Sequence, residues 1–417
     1  MLIILTTGVK AQEFTVGTPA DNSVDNYSDN PDDSLGWLDS VDISLLTCGP
    51  GSEVWSLYGH TALRIDDRAH GQDLAVNWGI FSFGQDYFVL RFVFGLTDYQ
   101  MGIFPMTDFL AEYSAQGRWV KQQRIRLTRD EKLRLLRAVD KNNRPENRTY
   151  RYNYFYDNCT TRARDMVLDQ IGPSNVRLPQ DTPHSTYRRE IHALNEHHRW
   201  ARFGNDLLLG AAADRDICRS QWEFLPGNLS SDFDITARKD IVTDRLSPTS
   251  KRGKVALVDS ACWLIAPQVE VAADEPVTPR LVFALIGTVI VAVSALEFFR
   301  RKNFWWVDTL LMLLTGLPGL ILLAMIFSQH PTVQINCQLL LLCPLHLCYV
   351  WRTSKRLRQG RTYWYCDLWA LLLLLALVLQ IWQTYAEGMG ILALSLFIRR
   401  CIKFTQHELK KKTSDGK

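Results

Sequence analysis

The sequence has no strong charge of either sign. Its 47 Lys and Arg residues and 44 Asp and Glu residues leave a formal net charge of +3 at pH 7. Proteins that bind nucleic acid usually carry a clear basic field, and a nearly neutral chain does not supply one. We therefore expect no nucleic-acid partner.

Cysteine is too sparse for a disulfide framework. Five of the nine cysteines lie in or beside hydrophobic runs near the C-terminus, which leaves Cys48, Cys159, Cys218 and Cys262 in the preceding part of the chain. Small secreted domains held together by disulfides have a much higher cysteine density. The sequence leaves open whether Cys218 and Cys262 pair in an exported domain or remain free thiols.

The N-terminus lacks the basic segment that opens a complete secretory signal. Residues 1–12 nevertheless contain a short apolar stretch followed by Val9-Lys10-Ala11, which fits the small-residue pattern before a signal-peptidase site. We interpret residues 1–12 as the remnant of an export signal. Residues 13–38 are rich in Asp, Asn and Ser and poor in apolar side chains, which predicts a mobile linker.

Charged residues are nearly absent from five apolar runs in the C-terminal third. The first four runs are about as long as a membrane-spanning helix; the fifth is shorter, and either its flanks complete a span or it lies at the interface. The runs cover residues 281–299, 304–327, 333–351, 363–384 and 389–398. They predict a five-helix transmembrane domain at 276–404 and a basic cytoplasmic tail at 405–417.

The connectors after the second and fourth runs contain no Lys or Arg. Fifteen Lys and Arg residues follow the first, third and fifth runs instead. Because basic connectors stay in the cytoplasm, the domain at 39–275 must lie outside it. Asp308, His346 and Asp367 lie in or beside the runs near predicted cytoplasmic ends, where we expect their side chains to reach the membrane interface.

Hydrophobic patterning in the globular half predicts a mixture of strands and helices. Strands are predicted at 42–47, 60–66, 74–80 and 119–127, the first three forming a meander. Helices are predicted at 107–116, from the capping box at 128–131 to about residue 143, and over about 183–212. Another helix has Cys159 among its first residues and is stopped by Gly172-Pro173. The stretch 218–262 has no regular pattern and suits a lid or a membrane-facing platform.

Cys159 lies in the first turn of a predicted helix, directly after Asp157 and Asn158. Unpaired backbone N–H groups and the positive end of the helix dipole stabilise a thiolate there, and the same N–H groups can hold an oxyanion. Taken alone, this position suits a nucleophile and a half-buried structural thiol equally well.

His60 follows a glycine and begins a predicted strand, so its side chain can stand rigidly over a groove. By itself it is slightly better explained as a hydrogen-bonded core histidine. Cysteine catalysis, however, needs a thiol at a helix terminus, an imidazole, and a polar group that orients the ring. Asn77 on the neighbouring predicted strand fits the third role, and Asp66 is the alternative.

Two segments of the globular half resemble a bacterial periplasmic family of lipoprotein N-acyltransferases. They are Leu45-Leu46-Thr47-Cys48-Gly49-Pro50-Gly51, continuing through Gly59-His60-Thr61-Ala62-Leu63-Arg64, and Tyr152-Asn153-Tyr154-Phe155-Tyr156-Asp157-Asn158-Cys159-Thr160-Thr161-Arg162. Asp206-Leu207-Leu208-Leu209-Gly210 and Phe224-Leu225-Pro226 extend the likeness to roughly residues 40–265. The order of His before Cys also resembles circularly permuted papain-like enzymes, including the lecithin-retinol acyltransferase group.

This resemblance implies an α+β fold in which a circularly permuted papain-like domain at 39–275 lies in the periplasm. A polytopic α-helical domain would hold it in the cytoplasmic (inner) membrane. A membrane phospholipid is the implied acyl donor and a diacylated lipoprotein the acceptor. In the implied reaction an acyl chain passes through a Cys159 thioester to the N-terminal amine of a diacylglyceryl-cysteine.

The same resemblance carries His60 and Cys159 over as catalytic residues, with no metal or cofactor. The backbone N–H of Cys159 is the expected oxyanion donor, and Tyr58 or Asn158 is a second candidate. The sequence departs from the family at Cys48-Gly49, where Ser more often follows the Cys. Cys48 remains a minor rival nucleophile.

Two other functions remain open from the sequence. A papain-like peptidase or amidase acting on cell-wall peptides would use the same Cys and His, although a wall hydrolase needs only one membrane anchor. A non-catalytic membrane assembly or receptor protein would leave both residues merely packed in the domain.

Overall fold

The computed structural model describes residues 35–81, 86–181, 183–239, 254–268 and 275–415. The predicted export remnant, and the linker up to residue 34, lie outside these ranges. The chain forms two compact units: Met1–Phe88, Leu96–Ser185 and Ile217–Val271 make the first, and Val89–Gly95, Thr186–Asp216 and Ala272–Lys417 the second. Residues 186–216 therefore belong to the second unit, whereas the sequence boundary at 275 placed them in the first.

An antiparallel sheet organises the first unit. The strands, numbered in chain order, are β1 Val41–Cys48, β2 His60–Asp67, β3 Gln72–Ile80, β4 Asp98–Pro105, β5 Val120–Ile125, β6 Thr149–Arg151, β7 Val176–Arg177, β8 Ala237–Lys239, β9 Lys254–Ala256 and β10 Val258–Ile265. Seven of them pair in the order β10-β5-β1-β2-β3-β4-β6, and β7, β8 and β9 form a small second sheet. The meander β1-β2-β3 follows the sequence prediction. β4 and β6 to β10 were not predicted, and β8, β9 and most of β10 lie in the stretch 218–262 that was expected to be irregular.

The helices are numbered in the same way. They are α1 Phe88–Val93, α2 Met106–Ala115, α3 Arg129–Asn143, α4 Cys159–Ile171, α5 Tyr187–Leu194, α6 Arg199–Leu208, α7 Arg219–Trp222, α8 Pro226–Ile235, α9 Pro279–Arg300, α10 Trp305–Met325, α11 Leu345–Arg358, α12 Tyr365–Leu379 and α13 Met389–Asp415. A mixed α/β unit followed by a helical region agrees with the predicted fold class at this level.

One face of the large sheet packs against α3, α4 and α8. Leu63 and Val76 of the sheet share a buried cluster with Leu135 of α3, Val167 of α4 and Phe233 of α8. The opposite face packs against α2. Because apolar side chains line both faces, the central strand β1 is buried along almost its whole length. The sheet is therefore a rigid platform for the residues at its strand ends.

The second unit is built mainly from α9 to α13. Of the described helices, α9 and α10 are long and apolar enough to cross a membrane, and α12, with 15 residues, is apolar but shorter. The predicted third run, 333–351, is not one helix: residues 337–340 form a 3₁₀ turn and α11 starts only at Leu345, directly after Pro344. Proline suits a helix start and breaks a helix interior. The predicted tail at 405–417 is also not separate, because α13 continues through Asp415.

Charged residues of α9, α10 and α13 form a buried ion-pair cluster. Arg399 is fully buried and binds Asp308 with two hydrogen bonds, from Nε to Oδ1 at 2.9 Å and from Nη2 to Oδ2 at 2.8 Å. Its Nη1 lies 2.8 Å from Oε2 of Glu297, which also pairs with Lys403. The expectation that Asp308 reaches the interface is wrong, because paired charges can remain inside a helical bundle.

Candidate active site

His60 and Cys159 meet where a strand and a helix begin. His60 is the first residue of β2 and Cys159 the first residue of α4, and their side chains are hydrogen-bonded. The next residue of each element strengthens the junction, since the hydroxyl oxygens of Thr61 and Thr160 lie 3.0 Å apart. The packing of α4 on β2 therefore unites two residues that are distant in sequence.

Asn77 completes a row of three polar side chains. Its Oδ1 lies 3.0 Å from Nε2 of His60. In the β2–β3 register Asn77 is paired with Ala62, which places it diagonally from His60 on the same face of the sheet. Asp66, the alternative orienting residue, lies six residues along β2, about 20 Å from His60, so the structure excludes it.

The surroundings of Cys159 and His60 favour the thiolate and the imidazolium. Burial by itself raises the pKa of the Cys159 thiol, but attraction to His60, together with hydrogen bonds from His60, the Thr61 backbone and the Thr160 hydroxyl, lowers it to about 7. Burial lowers the pKa of His60, and attraction and hydrogen bonding to Cys159, with the Asn77 hydrogen bond, raise it above its ordinary value. Both shifts have the same cause, because each charged form favours the other.

Asn158 is the N-cap of the helix that carries the thiol. Its Oδ1 accepts hydrogen bonds from the backbone N–H groups of the two threonines that follow Cys159, both at 2.9 Å. Its Nδ2 donates to the carbonyl oxygens of Tyr154 and Phe224, also at 2.9 Å. Both amide hydrogens are engaged in this way, so Asn158 is not placed as the oxyanion donor that the sequence allowed. The cap does not use the N–H of Cys159 itself.

The segment that receives the Asn158 hydrogen bond is itself tied to α4. Arg164, five residues after Cys159, donates from Nη1 to the Ser220 carbonyl at 2.6 Å and to Oε2 of Glu223 at 3.1 Å. Glu223 is buried, and this burial, with a contact to Asp232, raises the pKa of its carboxyl group to about 7. Two points of attachment therefore fix the start of α4 against residues 220–224.

The other cysteines of the first unit have different surroundings. Cys48 is buried beside α2, where burial raises the pKa of its thiol to about 12 despite a hydrogen bond with Tyr113. A thiol that stays protonated and covered is not a nucleophile, which removes Cys48 as a rival. Cys218 and Cys262 are exposed free thiols.

Two groups at the thiol were not anticipated. The Thr61 backbone contacts the Cys159 sulfur, and the Thr160 hydroxyl oxygen lies 3.8 Å from it. Their only signal in the sequence is that each directly follows a candidate residue. Tyr58 lies half-buried two residues before His60. Within the described ranges, no group of three or more His, Cys, Asp or Glu residues is placed to hold a metal ion.

Comparison with known families covers both units. The model of the Lnb N-terminal periplasmic domain matches residues 36–192, and the model of the Lnb transmembrane domain matches residues 271–412. His60, Asn77 and Cys159 all lie within the first match. No curated protein and no solved structure matches the chain significantly.

Proposed function

The chain belongs to the lipoprotein N-acyltransferase family, and from that premise we propose that it is a cysteine-dependent acyltransferase. The acyl donor is a membrane phospholipid, and the acceptor is the N-terminal amine of a diacylglyceryl-cysteine lipoprotein. The observation that carries the proposal is the hydrogen-bonded row formed by Cys159, His60 and Asn77.

In the first half-reaction the Cys159 thiolate attacks the ester carbonyl carbon of the phospholipid. The backbone N–H of Cys159 holds the developing oxyanion at the helix terminus, and Tyr58 is the candidate second donor. The bond between the carbonyl carbon and the glycerol oxygen breaks, and the His60 imidazolium gives its proton to that oxygen. Lysophospholipid leaves, and the acyl chain remains as a thioester on Cys159.

In the second half-reaction the lipoprotein amine attacks the thioester carbonyl. His60, now neutral, accepts the amine proton, the amide bond forms, and the Cys159 thiolate is expelled. Asn77 keeps the ring aligned through both steps: its Oδ1 accepts from the Nε2–H, which leaves Nδ1 as the atom that exchanges protons with the thiol and the amine.

The chain order and topology extend the proposal. His60 precedes Cys159, and an antiparallel sheet packs against the helix that bears the thiol, which is consistent with a circularly permuted papain-like domain. We propose that the helical unit is a multi-pass domain of the inner membrane, with the Arg300 end of α9 in the cytoplasm. The family match supports a periplasmic N-terminal domain joined to a transmembrane domain.

The test is complementation of a bacterial host that lacks its own lipoprotein N-acylation enzyme. Wild-type protein should restore triacylated lipoproteins, detected by mass spectrometry of N-terminal lipopeptides, and Cys159→Ala should not. Cys48→Ala is the matched control, because it removes a nearby thiol that is buried and protonated, and it should retain activity. Unchanged triacylation by the Cys159→Ala variant would contradict the proposed mechanism. Cleavage of cell-wall peptides by wild-type protein without lipid would favour a hydrolase instead.

A further inference from the structure

The helical unit contains a cavity of about 310 Å³ near the end of α9. That volume is at the lower end of the usual range for small-molecule sites, about 300 to 1,000 Å³. Its polar wall includes Asn303, Arg361, Arg400, Lys403 and His407. These residues come from the α9–α10 connector, the α11–α12 connector and α13, so they converge only in the folded unit.

Arg400 is an unusual group for a cavity wall. It is 6% exposed, and its Nε has no hydrogen-bond partner among the described residues. Its Nη1 lies 3.5 Å from Oδ1 of Asp308, a weak contact because Arg399 already binds that carboxylate with two hydrogen bonds. The Arg400 guanidinium also lies over the Trp369 ring, 5.4 Å from its centre. Because Nε is itself covered, a ligand in the cavity can reach only the Nη groups, and a buried guanidinium held by one weak contact gains from such a ligand.

The charges at the cavity favour an anion. Lys403 is partly neutralised by Glu297 and also donates to Oδ1 of Asn303 at 3.1 Å. Arg361 and Asp367 are both exposed on the wall and offset each other in charge. Asp308 and Glu297 supply two negative charges and face three cations of α13, namely Arg399, Arg400 and Lys403. Arg399 and Lys403 make the closer contacts with the two carboxylates. The positive charge that remains is therefore that of Arg400.

We propose that this cavity binds the phosphodiester of an anionic phospholipid of the cytoplasmic leaflet, with Arg400 and Arg361 as its ligands. Guanidinium groups bind phosphate oxygens with paired hydrogen bonds, and basic pockets between membrane helices on the cytoplasmic side suit lipid headgroups. Leu357, Ala370 and Phe404 supply an apolar wall beside the basic one, as a headgroup joined to acyl chains requires. The site rests on the membrane orientation proposed above and takes no part in acyl transfer.

The experiment uses the full-length protein, delipidated in a neutral detergent. Binding of phosphatidylglycerol, of phosphatidylcholine with the same acyl chains, and of inorganic phosphate is followed by thermal unfolding and by native mass spectrometry. Phosphatidylglycerol should bind most tightly. Arg400→Gln and Arg361→Gln should each weaken that binding roughly tenfold, the effect of losing one charge-assisted hydrogen bond.

Arg356→Gln is the matched control, since it removes an exposed arginine of α11 that does not line the cavity, and it should bind like wild type. Arg361 is exposed, so Arg361→Gln tests the site even where Arg400→Gln fails to fold. Equal binding of phosphatidylcholine, or wild-type affinity in Arg361→Gln, would overturn the proposal. Equal binding of inorganic phosphate would identify a simple anion site and overturn the lipid assignment.

Discussion

Asn77 accepts a hydrogen bond from His60 across neighbouring strands, with 3.0 Å between Oδ1 and Nε2. The diagonal register of β2 and β3 sets this distance, so it depends on the sheet and not on a loop. The bond restrains the ring plane and occupies Nε2, so Nδ1 is the ring nitrogen that it leaves available. A strand-borne imidazole of this kind has its position set by the fold itself.

Replacing Asn77 by alanine should lower the rate of acyl transfer by up to about 100-fold, because a misaligned imidazole transfers protons poorly. The measurement is the initial rate of lipoprotein N-acylation in proteoliposomes with saturating phospholipid. Asn175→Ala is the control, since Asn175 is exposed, lies just beyond the end of α4, and its side chain donates to the Ile171 carbonyl. A wild-type rate in the Asn77→Ala variant would show that Asn77 does not contribute to acyl transfer.

Alkylation of Cys159 should depend on pH with a midpoint at about 7. The thiolate is present above this pH and is lost as the pH falls through it. In His60→Ala the midpoint should move above the ordinary thiol value of about 8.5, because burial remains while the attractive charge is gone. Iodoacetamide labelling, read at the Cys159 peptide by mass spectrometry, gives both midpoints. An unchanged midpoint would mean that His60 does not stabilise the thiolate.

Asn158→Ala should destabilise the full-length protein by about 1 to 3 kcal/mol and also reduce activity. It removes the N-cap of α4 and leaves the Tyr154 and Phe224 carbonyls without their donor. Thr128→Ala is a matched cap variant, since Thr128 caps α3 away from the thiol and should cost about 1 kcal/mol with activity retained. Thermal unfolding and N-acylation rates distinguish the two. Equal activity in both variants would contradict a role for the cap in placing Cys159.

Gly59→Ala should reduce activity by tenfold or more. Gly59 has φ +77°, and a Cβ there would lie 2.7 Å from the Cys48 carbonyl oxygen, so the chain would have to move just before His60. Gly71, in the turn between β2 and β3, has φ +64° and open space around it. Gly71→Ala should therefore cost about 1 to 2 kcal/mol of stability while keeping the activity. Comparable activity in both variants would show that the backbone change at residue 59 does not displace His60.

Local sequence patterns predicted the secondary structure correctly where neighbouring residues alone determine it. The three-strand meander, the capping box at Thr128 and the helix starting at Cys159 follow from alternation and capping residues alone. The third apolar run was misjudged because its length was taken as one helix, although Pro344 inside the run favours a break there. β10 was missed because its partner β5 is more than a hundred residues away.

Residue types and local periodicity are enough to predict an α/β domain joined to apolar helices, with His60, Asn77 and Cys159 as candidate reactive residues. Which of these candidates meet depends on tertiary contacts. The choice of Asn77 over Asp66 depends on strand register, and the exclusion of Cys48 depends on burial. The pairing of Arg399 with Asp308, which leaves Arg400 with an unused donor, depends on contacts between distant helices. Each is a long-range relation for which the local sequence has no signal.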